Sequence, residues 1–409
     1  MSASPPALRT PDPHEVQPPI SEVGVIGWLR HNLFSSVRSG LATIVIGLVV
    51  LIGLWVFLDW ALFHARWGVI TSNMRLFLVG LFPQAEIYRV WLTMLLLSLV
   101  TGASAGTWNI GSVRLMAIML AAGQLAIALL IIISGLGPVA ALALAVNAVV
   151  VLGLMLLARR WPVGGRWLVA GWSATFVLSI LLLQGLGSAS LLPPVSTNVW
   201  GGLLLTVLLS VVGILLSFPI GVALAIGRRS QLPVIRVLST AFIEIVRAVP
   251  LITILFMASL LFPLFLPDGI RIDNVYRAIG GITIFSAAYV AENVRGGLQA
   301  IPRGQIEAAN AIGLRSWQTN LYIVLPQALR ITIPANVGLF ISLLKDTTLV
   351  AIISLLELLG IGGAVLAQAE WIGASFEVYL FVAAVFFVLC YTLSQASYRL
   401  EKELGIGER

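Results

Sequence analysis

Apolar residues in this chain are gathered in long runs, and polar residues are confined to the stretches between them. A helix needs about 20 apolar residues to cross a hydrocarbon core. Five runs of that order occupy the first half, from Leu41 to about Phe63 and then near 90–107, 113–135, 138–158 and 167–187. Five more follow near 199–227, 234–266, 277–297, 330–356 and 375–397. No series of ~10-residue alternating strands suggests a barrel. The pattern therefore predicts an all-α integral membrane protein with about ten transmembrane helices.

The connecting stretches divide the chain further. Residues 1–40 hold Pro5, Pro6, Pro11, Pro13, Pro18 and Pro19 among polar residues, and no short apolar core precedes a cleavage site, so a disordered cytoplasmic tail is expected there. A boundary near 188–197 (SASLLPPVST) separates an extra N-terminal transmembrane region, 41–190, from a second region, 195–402; a short tail, 403–409, closes the chain. The two five-span halves do not look alike in their loops, which argues against an inverted-repeat transporter.

Composition agrees with the pattern: 59% of the 409 residues are hydrophobic, 10% are charged and the mean hydropathy is +1.03. The formal charge of +7 does not point to nucleic acid, because the arginines sit in short loops rather than along one soluble face. Arg159, Arg160 and Arg166 share one loop; Arg228, Arg229 and Arg236 a second; Arg303, Arg315 and Arg330 a third; Arg399 and Lys402 follow the last run. The opposite loops carry Asp268, Arg271, Asp273 and Arg277, or Glu357 and Glu370, with no basic excess. The positive-inside rule puts the first set, and both termini, in the cytoplasm. Cys390 is the only cysteine, and His14, His31 and His64 show no metal-ligand spacing, so no metal site and no disulfide is expected.

The longest cytoplasmic stretch between runs of the second half, Ala300 to Arg330, is not a simple linker. Pro302 suits the first turn of a helix and Gly313 its stop, while Ser316 can cap a second helix ending at Pro326. On the first helix Ile306, Ala309 and Ile312 recur at i, i+3 and i+6, with Glu307, Ala308, Asn310 and Ala311 around them. A rigid helix–turn–helix tied to spans on both sides could turn motion of a soluble partner into motion of the spans.

The stretch resembles the signature of permease subunits of binding-protein-dependent ABC importers: E-A-A, three residues, G, nine residues, I, any residue, L-P. Glu307, Ala308, Ala309, Gly313, Ile323, Leu325 and Pro326 stand at those spacings. Over 195–402 two further stretches are similar to the polar amino-acid class of that family, Ala291–Gly297 (AENVRGG) and Leu344–Leu349 (LKDTTL), and Phe242–Leu251 (FIEIVRAVPL) looks like its E-x-x-R-x-x-P-L stretch, with Ala248-Val249 where Gly-Thr is usual. The extra N-terminal region is similar in length and layout to the long permeases of general L-amino-acid and glutamate/glutamine/aspartate/asparagine importers. The resemblance implies a C-terminal five-helix type I permease core whose segment 300–326 docks on a separate ATPase subunit through Glu307, Ala308, Ala309 and Gly313. It also implies a periplasmic amino-acid-binding protein and a second permease, with a heterodimer favoured over a homodimer. ATP and Mg would lie on the ATPase, since neither lysine here follows a glycine and no phosphate-binding loop exists.

Charged residues within the runs are the remaining candidates, because each costs about 2.5–3.5 kcal/mol at membrane depth on insertion scales. Glu244 and Arg247 are three apart on one helix, as are Glu292 and Arg295, so each pair can neutralise itself or serve in gating or the path. Lys345 and Asp346, with Thr347 and Thr348, could meet the two charges of a zwitterion or lock a neighbouring helix. Tyr289 lies three residues before Glu292 and either lines the same path or packs. The function expected is import of polar L-amino acids across a bacterial inner membrane by alternating access, with no catalytic residue on this chain. The rival reading, an ion-coupled secondary amino-acid transporter, would need no coupling loop; an intramembrane enzyme would need a base or metal that the spans lack.

Overall fold

The computed structural model describes residues 24–187 and 192–405. The expected tail falls partly outside them, at residues 1–23, but 24–40 are largely helical rather than disordered. Helix α1 (Gly24–Asn32) carries Val25, Trp28 and Leu29 at helical spacing and ends on Arg30 and His31, which suit the negative end of its dipole. Helix α2 (Val37–Asp59) starts at a capping box in which Ser36 and Ser39 each accept the other's backbone N–H. It widens into a π turn at Trp60–His64. Among its helical residues only Gly40 is buried, so apolar side chains cover its whole circumference, as in a helix surrounded by hydrocarbon. By its contacts the stretch up to Arg66 forms one unit, and Trp67 onward forms another.

The second unit opens with two short helices in a stretch to which the sequence assigns no span, α3 (Gly68–Ser72) and α4 (Met74–Val79). Four helices follow: α5 (Tyr88–Trp108), α6 (Gly111–Ile133), α7 (Pro138–Arg160) and α8 (Gly165–Gln184). Lipid tails are as apolar as leucine, so such helices associate through close backbone approach and interhelical hydrogen bonds. Helix α5 supplies both. A Cβ on Gly102 would stand 2.6 Å from the Val151 carbonyl oxygen, and one on Gly106 2.5 Å from that of Met155, so only glycine lets α5 and α7 touch there. Gln124 donates to Ser98 Oγ at 2.9 Å, Asn147 to the Trp91 carbonyl at 3.2 Å and the Trp172 indole to Ser104 Oγ at 3.1 Å, tying α6, α7 and α8 to α5.

Next come α9 (Gly202–Arg228), α10 (Pro233–Ala248) and α11 (Leu251–Phe256), the last continuing as π and 3-10 turns to Phe265. The sequence pattern predicts one span over 234–266; instead α10 and the helix after it meet at 105°. Pro250 is the cause, because it forces the residue before it out of the helical region, and Val249 is extended at φ −107°, ψ 134°. Helix α12 (Asn274–Ala300) leads into α13 (Arg303–Ala311), α14 (Ser316–Gln318) and α15 (Leu325–Asp346), followed by α16 (Leu358–Leu366) and α17 (Ser375–Glu403). Among the described residues eight helices are long and apolar enough to span a bilayer, and the bent pair makes a ninth. Helix α12 is long enough but too polar to qualify alone; it is wrapped by α9, α10, α11 and α15, so it needs no apolar surface of its own.

Helices α9 and α12 run side by side in the same direction, with Gly213 under Ile282 and Gly221 under Val290 and the Ala287 carbonyl. Helix α15 returns antiparallel, with Gly297 against the Ala328 carbonyl and Asn293 donating to Asn336 at 3.1 Å. At the opposite end from the α12–α15 connection, Glu357 is fully buried and accepts the N–H groups of Leu359 and Gly360, which makes it the N-cap of α16 rather than an exposed loop charge. There Val69, Met74 and Phe77 of α3 and α4 share a core with Leu358, Ile361 and Val365 of α16 and Val378 and Val382 of α17.

Replacing Gly221 with Leu forces side-chain atoms into the 2.6 Å gap at Val290, an overpacking that costs about 1–3 kcal/mol. The Tm of the detergent-solubilised protein should fall for Gly221→Leu and hold for Gly296→Ala, whose Cβ would meet open space.

Candidate functional site

The connection between α12 and α15 is built by its own backbone. Pro302 precedes α13 with φ −60°, and Ile312 ends it. Gly313 adopts φ +82°, and the Leu314 and Gly313 N–H groups return to the carbonyls of Ala309 and Asn310 at 3.1 and 3.0 Å, a glycine stop that satisfies the last carbonyls of the helix. Beyond it Ser316 is the first residue of α14 rather than its cap, and the Gln318 side chain accepts the Arg315 N–H at 2.9 Å. The second helix does not end at Pro326. Residues Thr319–Val324 form a π segment that passes directly into α15. Proline has no N–H for the carbonyl four residues back, and the wider turn absorbs the mismatch without breaking the helix.

Side chains of this segment sort into two sets. Ala309 is buried, and Ile306 packs beside it against Leu298, Ile301 and Val324. Ile323 and Leu325 are half-buried, on either side of the buried Val324. Glu307, Ala308, Gly313 and Pro326 are exposed. Ile312 was expected on the same apolar face as Ile306 and Ala309; it lies past the last helical turn and is 76% exposed. Trp317, with no role legible from spacing, is 55% exposed near Tyr322, so Ile312 and Trp317 are two large apolar side chains that stand out on this segment. An exposed Trp and Ile on a rigid polar rim have the character of a protein contact surface.

The charged candidates meet in one network, in which Glu292 keeps the Arg295 partner that its spacing suggests and Glu244 takes a different one. Glu244 does not pair with Arg247; it binds Arg228, at the end of α9, at 2.9 Å. Arg228 also reaches Glu292 of α12 at 3.5 Å, Arg247 of α10 reaches the same carboxylate at 3.3 Å, and Arg295 donates its Nε to it at 2.9 Å. Arg247 lies 5.7 Å over the Tyr289 ring, which itself rests on Phe285. Two carboxylates and three guanidiniums thus join α9, α10 and α12. Arg228, read from sequence only as a topology signal, is the residue common to both carboxylates; no local spacing rule could have found it.

Lys345, Asp346, Thr347 and Thr348 are not part of this network. They lie toward the other end of α15, about 13 Å along the axis beyond Asn336 at about 1.5 Å per residue. Lys345 is exposed and Asp346 half-buried. Thr347 is fully buried and donates to the Leu344 carbonyl at 2.7 Å, and Thr348 donates to that of Lys345 at 2.8 Å, so both hydroxyl protons are engaged within the helix.

Residues 217–401 match the family model for the inner membrane component of binding-protein-dependent transport systems. The chain is 36% identical to the glutamate/glutamine/aspartate/asparagine transport system permease protein BztC of Rhodobacter capsulatus, with 96% of both chains covered. It belongs to this permease family. The permease is also 42% identical to the inner membrane amino-acid ABC transporter permease protein YhdY of Escherichia coli, over 64% of this chain and 72% of that one. Among solved structures, a crystal structure of an amino acid ABC transporter with histidines is similar at 28% identity, covering 49% of this chain and 92% of that chain, with a TM-score of 0.45. The permease is a multi-pass membrane protein, and its helices α1 to α8 precede the region matched by the family model.

A double-mutant cycle separates the interhelical pairing in this permease from the intrahelical one. Arg228→Gln and Glu244→Gln should couple by about 0.5–1 kcal/mol in thermal unfolding, near the low end because Glu244 is half exposed, whereas Glu244→Gln and Arg247→Gln, linked only through Arg228 and Glu292, should couple by less.

Proposed function

We propose that this chain is the permease subunit of an importer of polar L-amino acids, in which a separate ABC ATPase subunit acts on residues 303–317. The observation that carries the proposal is the segment itself: a helix–turn–helix that follows α12 directly and passes into α15, exposing Glu307, Ala308, Ile312, Gly313 and Trp317 while Ile306 and Val324 pack into the core between the helices and Ala309 is buried. ATP and Mg belong to the partner ATPase, and the chain performs no covalent chemistry. Amino acids as substrates follow from the two relatives, whose names specify amino-acid transport, one of them for glutamate, glutamine, aspartate and asparagine.

The remaining parts follow from the same reading. Both termini and the arginine-rich loops face the cytoplasm of a bacterial cell, in keeping with the positive-inside rule. A periplasmic amino-acid-binding protein delivers the solute to the other face, and a second, related permease completes the path as a heterodimer. Lys345 and Asp346 contribute the path-lining charges, with Thr348 beside them. Thr347, being buried, supports the turn that follows. The network of Arg228, Glu244, Arg247, Glu292 and Arg295 holds α9, α10 and α12 together at the inner end, and its rearrangement accompanies opening. Ion-coupled secondary transport finds no favouring observation, since it gives the exposed segment 303–317 nothing to do.

Glu307→Lys and Gly313→Pro test the proposal. The first reverses a charge on the exposed face, and the second imposes φ near −65° where +82° is needed. With the ATPase co-expressed, co-purification or ATP-dependent amino-acid uptake should fall about tenfold or more, while membrane insertion is kept. Uptake that continues unchanged and needs no ATP would overturn the assignment.

A further inference from the structure

Helix α17 ends at a junction of three elements. Glu403, its last residue, accepts the backbone N–H of Gly111 and lies 3.3 Å from Ser112 Oγ, at the first turn of α6. A carboxylate is well suited to that place, where unpaired N–H groups and the positive end of the helix dipole converge. One residue later, the Leu404 carbonyl accepts a hydrogen bond from the Arg330 guanidinium. Arg330 lies in α15 just past Pro326, at the base of the exposed segment.

At its other end α17 is held as well. Val378 and Val382 sit in the core formed with α3, α4 and α16, and the Phe381 ring meets Phe77 edge-on at 5.1 Å. Leu130 of α6 packs against the same core. Helix α17 is therefore fixed to α6 at both ends, and α6 is fixed to α5 through Gln124 and Ser98.

We infer that Glu403 and Arg330 are positioning residues: through the last turn of α17 they fasten the base of α15 to the α5–α8 bundle, which serves as a fixed abutment for the segment 303–326. This rests on the reading of that segment as the place where the ATPase acts. A push on a helix–turn–helix displaces the spans it is tied to only if something else in the molecule stays still. The α5–α8 bundle, with its glycine-mediated contacts and buried side-chain hydrogen bonds, is the element built to stay still, and the Glu403–Gly111 and Arg330–Leu404 bonds are its link to the moving part.

Two measurements on the full chain test this. Spin labels placed on Ile110→Cys and Trp317→Cys in a Cys390→Ser background should give one narrow distance distribution. It should broaden in Glu403→Ala and recover in Glu403→Gln, which still accepts the Gly111 N–H; a width unaffected by Glu403→Ala overturns the fastening. In proteoliposomes with the complete complex, Glu403→Ala should lower the number of amino acids imported per ATP hydrolysed by about threefold, with Glu403→Gln restoring it. An unchanged ratio, or uptake and hydrolysis falling in proportion, overturns the abutment role. Wild-type uptake that ignores ATP would instead contradict the transport reading, and the label distances would still decide whether the fastening exists.

Discussion

Hydrocarbon tolerates few charges, and α12 carries Arg277, Glu292 and Arg295 along 27 residues. That constraint organises the molecule. A helix of this composition is stable at membrane depth only when other helices cover it and every charge has a partner. Glycines 213, 221 and 297 let α9 and α15 close on it until backbone meets side chain, and α10 and α11, bent apart at Pro250, cover the rest. The Glu292 carboxylate receives guanidiniums from three directions, two of them from other helices. A helix so enclosed cannot shift alone, and because α12 runs into α13, displacement of the exposed segment reaches the enclosed helix directly.

Much of this was legible before any coordinates. Runs of apolar residues marked the helices α5 to α9 within a few positions, because the length of a span is set by bilayer thickness, but placed α15 too late, ended α17 short and missed the break at Pro250. Gly313 was read as a helix stop, and it does take the left-handed conformation that a stop requires. What escaped was long-range. The partner of Glu244 is Arg228, on another helix, whereas an i, i+3 rule sees only Arg247. The segment 68–79 is apolar but too short to cross a bilayer, so nothing in its length distinguishes a surface loop from the buried pair of helices it forms. Pro326 misled for a related reason: proline ends many helices, but a π turn placed before it lets Ser316–Asp346 continue.

Thr347 shows a limit of reading chemistry from composition. Four polar residues in a row suggest a wet site, yet helical geometry turns Thr347 into the interior and engages both hydroxyls with backbone carbonyls, leaving Lys345 and Asp346 as the groups with free valence. The extra N-terminal helices likewise gain a meaning from contacts that no hydropathy profile contains. Their polar residues, Ser98, Ser104, Gln124 and Asn147, are spent on holding the α5–α8 bundle together, which is the expected use of polar side chains where lipid offers no hydrophobic drive for association.

The central claim is that an ATP-hydrolysing partner grips the exposed face of α13. Site-directed cross-linking from Ala308→Cys, in a Cys390→Ser background, to single cysteines on the co-expressed ATPase addresses it most directly. The account predicts a cross-link that forms in membranes, stops ATP-dependent uptake and releases it on reduction. Labelling of Ala308→Cys by a membrane-impermeant reagent from outside intact cells, together with uptake that persists in the presence of the cross-linker, would contradict it.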